Sequence, residues 1–332
     1  MSKTWTRISK ASARASQKDP PSQEPTVATA LAEVDTPTAV DLVRSAADLV
    51  QASIAENTRE AYKLALRQFE RSEYPETDAG VAAYLGRLYD MGRSVACAAM
   101  LVSALRFRAK LRGLPSPVGA ATTRVLAGFR RLAAGRGPGQ VAGVRWEQAD
   151  RVAAMAEQRN HPIGLRDAAI VAVASDALLR VSEVASLDVE DVNLTEQTLL
   201  IRRSKTDQEG KGVLQFLGKP TVERIRAWLL KARLAEGALF RAVHRSGHLR
   251  RGRLTERSIR RIIILRAKAA GVGGRISGHS LRVGSAQSLA MAGASLVEMQ
   301  VAGRWRSPAM PARYAQGQLV KQGAVARLRY GS

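Results

Sequence analysis

The chain is expected to be mainly α-helical, with a small antiparallel β-sheet confined to the C-terminal of two domains. Three observations lead there. Apolar residues recur at helical spacing through most of the chain, a glycine-rich break interrupts them at 135–139, and strand-like runs occur only beyond that break. A length of 332 residues accommodates two ordinary cores, and a hydrophobic fraction of 45% fits a folded protein.

Residues 1–37 are rich in Ser, Thr, Pro, Ala and charge, have little to bury, and read as a disordered basic tail. Order is expected from Ala39. Asn57-Thr58 marks a helix start, with Tyr62, Leu66 and Phe69 following on one face. Asp78 opens a second helix carrying Val81, Tyr84, Leu85 and Leu88. Ser94 begins a third, with Ala98, Leu101, Val102, Leu105 and Leu111, and Gly113 and Pro115 stop it. A fourth runs from near Thr122 to Leu132. Short helices joined by short polar turns predict a helical bundle over 38–134.

Gly135-Arg136-Gly137-Pro138-Gly139 cannot hold regular structure, and 135–144 reads as an interdomain linker. The second domain, 145–317, opens with a helix at Trp146. The strongly apolar stretch Arg166–Leu187 supplies one or two core helices. Thr198–Arg203 and Val213–Leu217 read as strands, with Ser204–Gly212 as their polar connection. Helices follow from Thr221, Thr255, His279, Ser295 and Ser307, and 318–332 forms a C-terminal tail or helix. That last segment carries Leu319, Val320, Ala324, Val325 and Leu328 at helical spacing.

Charge narrows the class of partner. Lys and Arg number 52 against 29 Asp and Glu, a net charge of +23 and a pI near 11.2. A folded chain this basic points to a polyanion, and nucleic acid is the first candidate. A basic surface with no partner is the plain alternative, and charge alone does not separate an enzyme from a passive binder. The single cysteine, Cys97, excludes an intrachain disulfide framework and lies among apolar residues, which predicts burial. His161, His244, His248 and His279 lack metal-ligand spacing, and His244 and His248 fall in a stretch, Arg241–Arg253, that reads as a basic solvated loop. No metal or cofactor is expected. With no apolar run of membrane-spanning length and no secretory signal, a cytosolic location on the nucleoid is expected.

The stretch Gly278–Tyr314 carries the chemistry. His279 and Arg282 come first, then Trp305, then Tyr314, with Arg180 and Lys205 upstream. Cationic and neutral donors followed by a lone phenol suit attack by tyrosine on a phosphate. Such an attack needs fixed donors for the nonbridging oxygens, loss of a phenol proton whose reference pKa is about 10, and a proton for the departing oxygen. Arg180 and Arg282 answer the first need with forked, permanently charged guanidiniums. His279 shares a helical face with Arg282, and the Trp305 indole N–H donates without titrating. Lys205 is the candidate acid for the leaving oxygen, with Lys211 of the same connection as second choice. Glu183, one turn after Arg180, forms an ion pair with it on the plainest reading. Each residue alone has an ordinary structural explanation; the ordered set is what points to a site.

That set, within Ala177–Leu187, Lys205, Ser277–Ala286, Ala302–Trp305 and Tyr314, resembles the active-site boxes of the tyrosine recombinases, also called phage integrases. The resemblance is closest to members with Trp in place of the commoner second His. It spans about 145–330, and Asn57-Thr58-Arg59 and Tyr62 weakly match the family's core-binding domain. It implies a two-domain clamp around double-stranded DNA at an inverted-repeat site, a 3′-phosphotyrosine intermediate, and strand exchange in a homotetramer without metal or ATP. Residue by residue, it makes Tyr314 the nucleophile, Arg180 and Arg282 the phosphate clamp, Lys205 the general acid and His279 a phosphate donor and proton shuttle. Trp305 becomes the last donor and Glu183 an orienting acid. The C-terminal apolar stripe would dock on a neighbouring protomer, or pack on its own domain. Leu178 departs from the Gly that many relatives carry before Leu-Arg. A type IB topoisomerase, with the same tyrosine chemistry, and a non-catalytic DNA-binding protein on the same scaffold are the competing readings.

Overall fold

The computed structural model describes residues 53–137, 139–158, 160–202, 212–321 and 328–329. The tail at 1–37, the onset of order at Ala39, and the connection holding Lys205 and Lys211 lie outside them. The fold is mostly helical with small antiparallel sheets, and it divides into two compact units between Gly139 and Gln140.

The first unit holds α1 (Glu56–Glu70), α2 (Asp78–Asp90), α3 (Val95–Leu111) and α4 (Ala120–Leu132). Side chains of Thr77 and Ser94 cap α2 and α3 by accepting from Gly80 and Cys97 backbone N–H groups. Asp78 accepts from the N–H groups of Gly119, Ala121 and Thr122 at 2.8–2.9 Å, so one carboxylate also closes the start of α4. Hydrogen bonds, the Thr122 side chain foremost, hold its pKa down at about 2. The core is built from the periodic positions: Phe69, Val81, Leu85, Leu101, Leu105 and Phe129. Leu111 departs from that pattern. It is the last residue of α3, where the packed face runs out, and 53% of its surface is exposed. Cys97 is only half-buried, since it lies on the first turn of α3.

The second unit is organised around α6 (Pro162–Asp176), whose residues from Gly164 to Ser175 are all buried. α5 (Trp146–Glu157), α8 (Lys219–Ala232), α9 (Glu256–Ala269) and α10 (Ser280–Met291) contribute to the same core or pack on α6. α7 (Val181–Ser186) follows α6, and α11 (Leu296–Gly303) and α12 (Ala309–Lys321) complete the helices. A three-stranded antiparallel sheet runs in the order β1 (Val192–Asn193), β2 (Thr198–Ile201), β3 (Val213–Phe216), with Leu199 opposite Gln215. Leu199 and Ile201 face the core at the period of two expected of a half-buried strand.

Three boundaries differ from the sequence reading. The stretch 241–253 is not an irregular loop: β4 (Arg241–Val243) and β5 (Leu249–Arg253) pair as an antiparallel hairpin. Its turn is tied by a 2.7 Å contact between His244 Nδ1 and Ser246 Oγ. Residues 140–144 are not linker. Ala142 and Val144 donate to the Arg275 and Ser280 carbonyls, and Val144 is fully buried. Gly284 admits that segment because a Cβ there would lie 1.9 Å from the Val144 oxygen. Helix α12 runs on past 317 to Lys321. Of the C-terminal stripe, the Leu319, Val320, Ala324 and Val325 side chains lie outside the described residues, and Leu328 is 79% exposed. No described helix is long and apolar enough to cross a membrane.

Candidate active site

The site begins where α6 ends. After Asp176 the chain reverses through Leu178, which takes a left-handed φ of 47°, and delivers Arg180 to the start of α7. Left-handed backbone disfavours a Cβ, so a leucine here needs a compensating contact. Leu178 occupies it because its side chain is buried beside Val283, Met299, Trp305 and Tyr314.

Glu183 is the hub beneath Arg180. One of its oxygens accepts from the Arg180 guanidinium at 2.6 Å, and the other from the Arg180 backbone N–H at 2.9 Å. That second oxygen also accepts from Arg304 Nη2 at 2.8 Å. Glu183 is 2% exposed, and these donors take the place of the water its buried carboxyl oxygens have lost. Arg304 also donates to the Ala177 and Leu178 carbonyls, at 2.9 and 3.3 Å.

His279 stands at the start of α10 and Arg282 one turn later. Arg282 has no solvent exposure. Its guanidinium donates to the Leu178 and Gly303 carbonyls and lies 4.7 Å from the centre of the Trp305 ring. Gly303 makes that stacking possible, since a Cβ there would lie 2.0 Å from the indole. Trp305 follows α11 and packs 5.8 Å from the Tyr314 ring on α12. The Tyr314 hydroxyl lies 3.0 Å from His279 Nε2.

Arg180, His279, Arg282, Trp305 and Tyr314 thus line one cavity of about 340 Å³. Sequence reasoning missed further members: Arg306, Ser307 and Met310 line it too, and Arg304 braces it from below. Arg304 lies inside the Ala302–Trp305 box, but a lone arginine in so basic a chain reads as a surface charge. Lys205 and Lys211 lie outside the described residues.

The electrostatics follow from burial among cations. Burial, then Arg282 and Arg180, lower the His279 pKa to about 4, so the ring is neutral at pH 7. Burial, then Arg180, pull Arg282 down to about 9, still a cation at neutral pH. Burial raises the Tyr314 pKa, with Arg282, Arg313 and Arg180 opposing. The resting phenol is therefore protonated. It donates to Nε2 in the tautomer that keeps its ring proton on Nδ1. The cavity joins two guanidiniums, a neutral imidazole and a phenol hydroxyl. Among the described residues, no group of His, Cys, Asp and Glu is arranged to hold a metal ion.

A family model described as Phage integrase family matches residues 144–319, more than half of the chain. The chain belongs to the phage integrase family. The integrase match begins at Val144, the buried residue on Gly284, and spans every site residue from Arg180 to Tyr314. The chain is 31% identical over 175 residues to an integrase/recombinase xerD homolog of Selenomonas ruminantium, covering 50% of this chain and 51% of that one. It is 26% identical over 279 residues to recombinase cre of Escherichia phage P1, covering 78% and 81%. The chain thus spans about half the length of the first of these relatives and four-fifths of the second. Among solved structures, a lambda integrase (75–356) dimer bound to a COC′ core site matches with a TM-score of 0.57 at 19% identity, covering 82% of this chain and 93% of that one. XerH recombinase bound to a palindromic difH substrate matches at 0.56 and 18%, covering 75% and 72%. At these identities the structures establish the integrase fold.

Proposed function

We propose that this integrase-family protein is a site-specific DNA recombinase acting through a 3′-phosphotyrosine intermediate. The observation that carries the reading is the Tyr314 hydroxyl, 3.0 Å from a neutral base and in one cavity with Arg180 and Arg282. A scissile phosphate held by the two guanidiniums presents its phosphorus to Tyr314 Oη. As the new O–P bond forms, the phenol proton passes to His279 Nε2 and the P–O5′ bond breaks. Lys205 protonates the departing 5′-oxygen. Donors from Arg180, Arg282 and Trp305 meet the charge that grows on the nonbridging oxygens. The phosphotyrosine conserves the energy of the broken bond. A 5′-hydroxyl from the partner duplex then attacks it, re-forming a phosphodiester and freeing Tyr314 without ATP.

Exchange between duplexes requires two cleavage sites on each, hence a homotetramer on inverted-repeat DNA. The +23 charge supports a duplex partner, and the XerH and lambda integrase structures hold a palindromic difH substrate and a COC′ core site. The test first searches the DNA flanking the reading frame for an inverted repeat and then uses a nicked suicide duplex that carries it. Wild type should accumulate a covalent protein–DNA adduct, and Tyr314→Phe should bind the duplex without forming one. Absence of adduct from wild type would leave only a DNA-binding protein. Relaxation of supercoiled DNA lacking any target would favour the topoisomerase reading instead.

A further inference from the structure

Arg304 has no part in the chemistry above, yet it holds an expensive position. It caps the C-terminus of α11 with φ at 53°, in the left-handed region that favours glycine. Its side chain is 6% exposed, and burial of a guanidinium is itself unfavourable. Two unfavourable features at one residue need a compensating contact, and the contacts point inward. Arg304 bonds the oxygen of Glu183 that also accepts the Arg180 backbone N–H, and the Leu178 carbonyl that also accepts from Arg282. One side chain therefore touches the supports of both clamp arginines.

We infer that Arg304 is a positioning residue that shares the Glu183 charge with Arg180 and so keeps the rest of the Arg180 fork available to the reacting phosphate. The inference rests on the strand-cleavage reading above. Glu183 without Arg304 keeps Arg180 as its remaining ion-pair partner among the described residues, and a buried carboxylate draws such a partner toward itself. Charge counting gives the same answer. Arg180, Arg282 and Arg304 less Glu183 leave +2 among the enclosed groups, with side-chain exposures of 19% or less. A phosphodiester carries −1, and the reacting unit reaches −2 as the phenol proton leaves. A fixed +2 matches the second state better than the first, so Arg304 acts mainly on the cleavage step.

The test compares wild type, Arg304→Gly and Arg304→Lys on two duplexes. One carries a normal scissile phosphate and the other an uncharged methylphosphonate there. Glycine adopts the left-handed backbone freely, so Arg304→Gly deletes the side chain without new strain. On phosphate DNA its single-turnover cleavage should fall by about 10- to 100-fold, less than for a direct donor, with affinity within about threefold of wild type. On methylphosphonate DNA the deficit should shrink to under about threefold, because a methyl group replaces the charged nonbridging oxygen that a correctly held Arg180 would bind. Arg304→Lys should recover to within about fivefold of wild type. A smaller loss on phosphate, an equal loss on both duplexes, or a lysine variant as impaired as the glycine one overturns the inference. Wild-type adduct formation separates the two claims: no adduct defeats the cleavage reading and this inference together, whereas adduct with an indifferent Arg304 defeats the inference alone.

Discussion

Truncating Arg282 to alanine removes a fully buried cation and its backbone contacts from this site. The guanidinium is fully buried, donates to the Leu178 and Gly303 carbonyls, and stacks on Trp305. These contacts fix the fork before substrate arrives, and Nε has no hydrogen-bond partner among the described residues. A single preorganised donor is worth about 10²–10³ in rate. Arg282→Ala should therefore lower cleavage by at least about several hundredfold. Stability should fall as well, since each orphaned buried carbonyl costs about 1–3 kcal/mol. Part of that is offset, because removing a buried cation ends its repulsion by Arg180 and Arg304. The assay is single-turnover adduct formation at saturating protein, with circular dichroism as a check on folding. Arg282→Lys keeps the charge but not the fork and should remain at least about tenfold slow. A folded alanine variant less than tenfold slower than wild type would mean that the phosphate clamp lies elsewhere.

Three further outcomes are expected. Because the folded-state pKa of His279 is about 4 against an ordinary 6.5, the unfolded chain binds more protons between those values. Stability should fall as pH drops through that window, by at most about 3 kcal/mol and less for a ring that water partly reaches, and His279→Asn should flatten this part of a pH series of denaturant melts. Leu178→Ala keeps the left-handed backbone but empties a buried position beside Trp305 and Tyr314, so denaturation should show a loss of about 2–4 kcal/mol; an unchanged midpoint would contradict the packing described. Deleting residues from Gln318 onward should leave DNA binding intact and abolish recombination, and full recombination by the truncated protein would remove the docking role of the C-terminal segment.

The helical bundle was legible because its periodic positions, such as Val81, Leu85, Leu101 and Leu105, are the ones the core buries. The site was legible as an ordered set of residue types that the fold brings to one cavity, although Arg180 and Tyr314 are far apart in sequence. Other features left no such trace. The β4–β5 hairpin is short, and β5 reads Leu-Arg-Arg-Gly-Arg, with no apolar alternation to mark a strand. Residues 140–144 form an extended run without periodicity, and only the missing Cβ of Gly284 shows where Val144 seats. Arg304 was hidden by charge, because burial and left-handed backbone are properties of the fold and not of the residue type. Leu178 was visible as a departure from Gly, but its packing against Tyr314 emerges only in three dimensions.

The most direct measurement is mass spectrometry of the protease-digested adduct trapped on a nicked target duplex. A nucleotide linked through its 3′-phosphate to the peptide containing Tyr314, and absent from Tyr314→Phe, is the predicted result. A link at any other residue, or a 5′-phosphate linkage, would contradict the account at its centre.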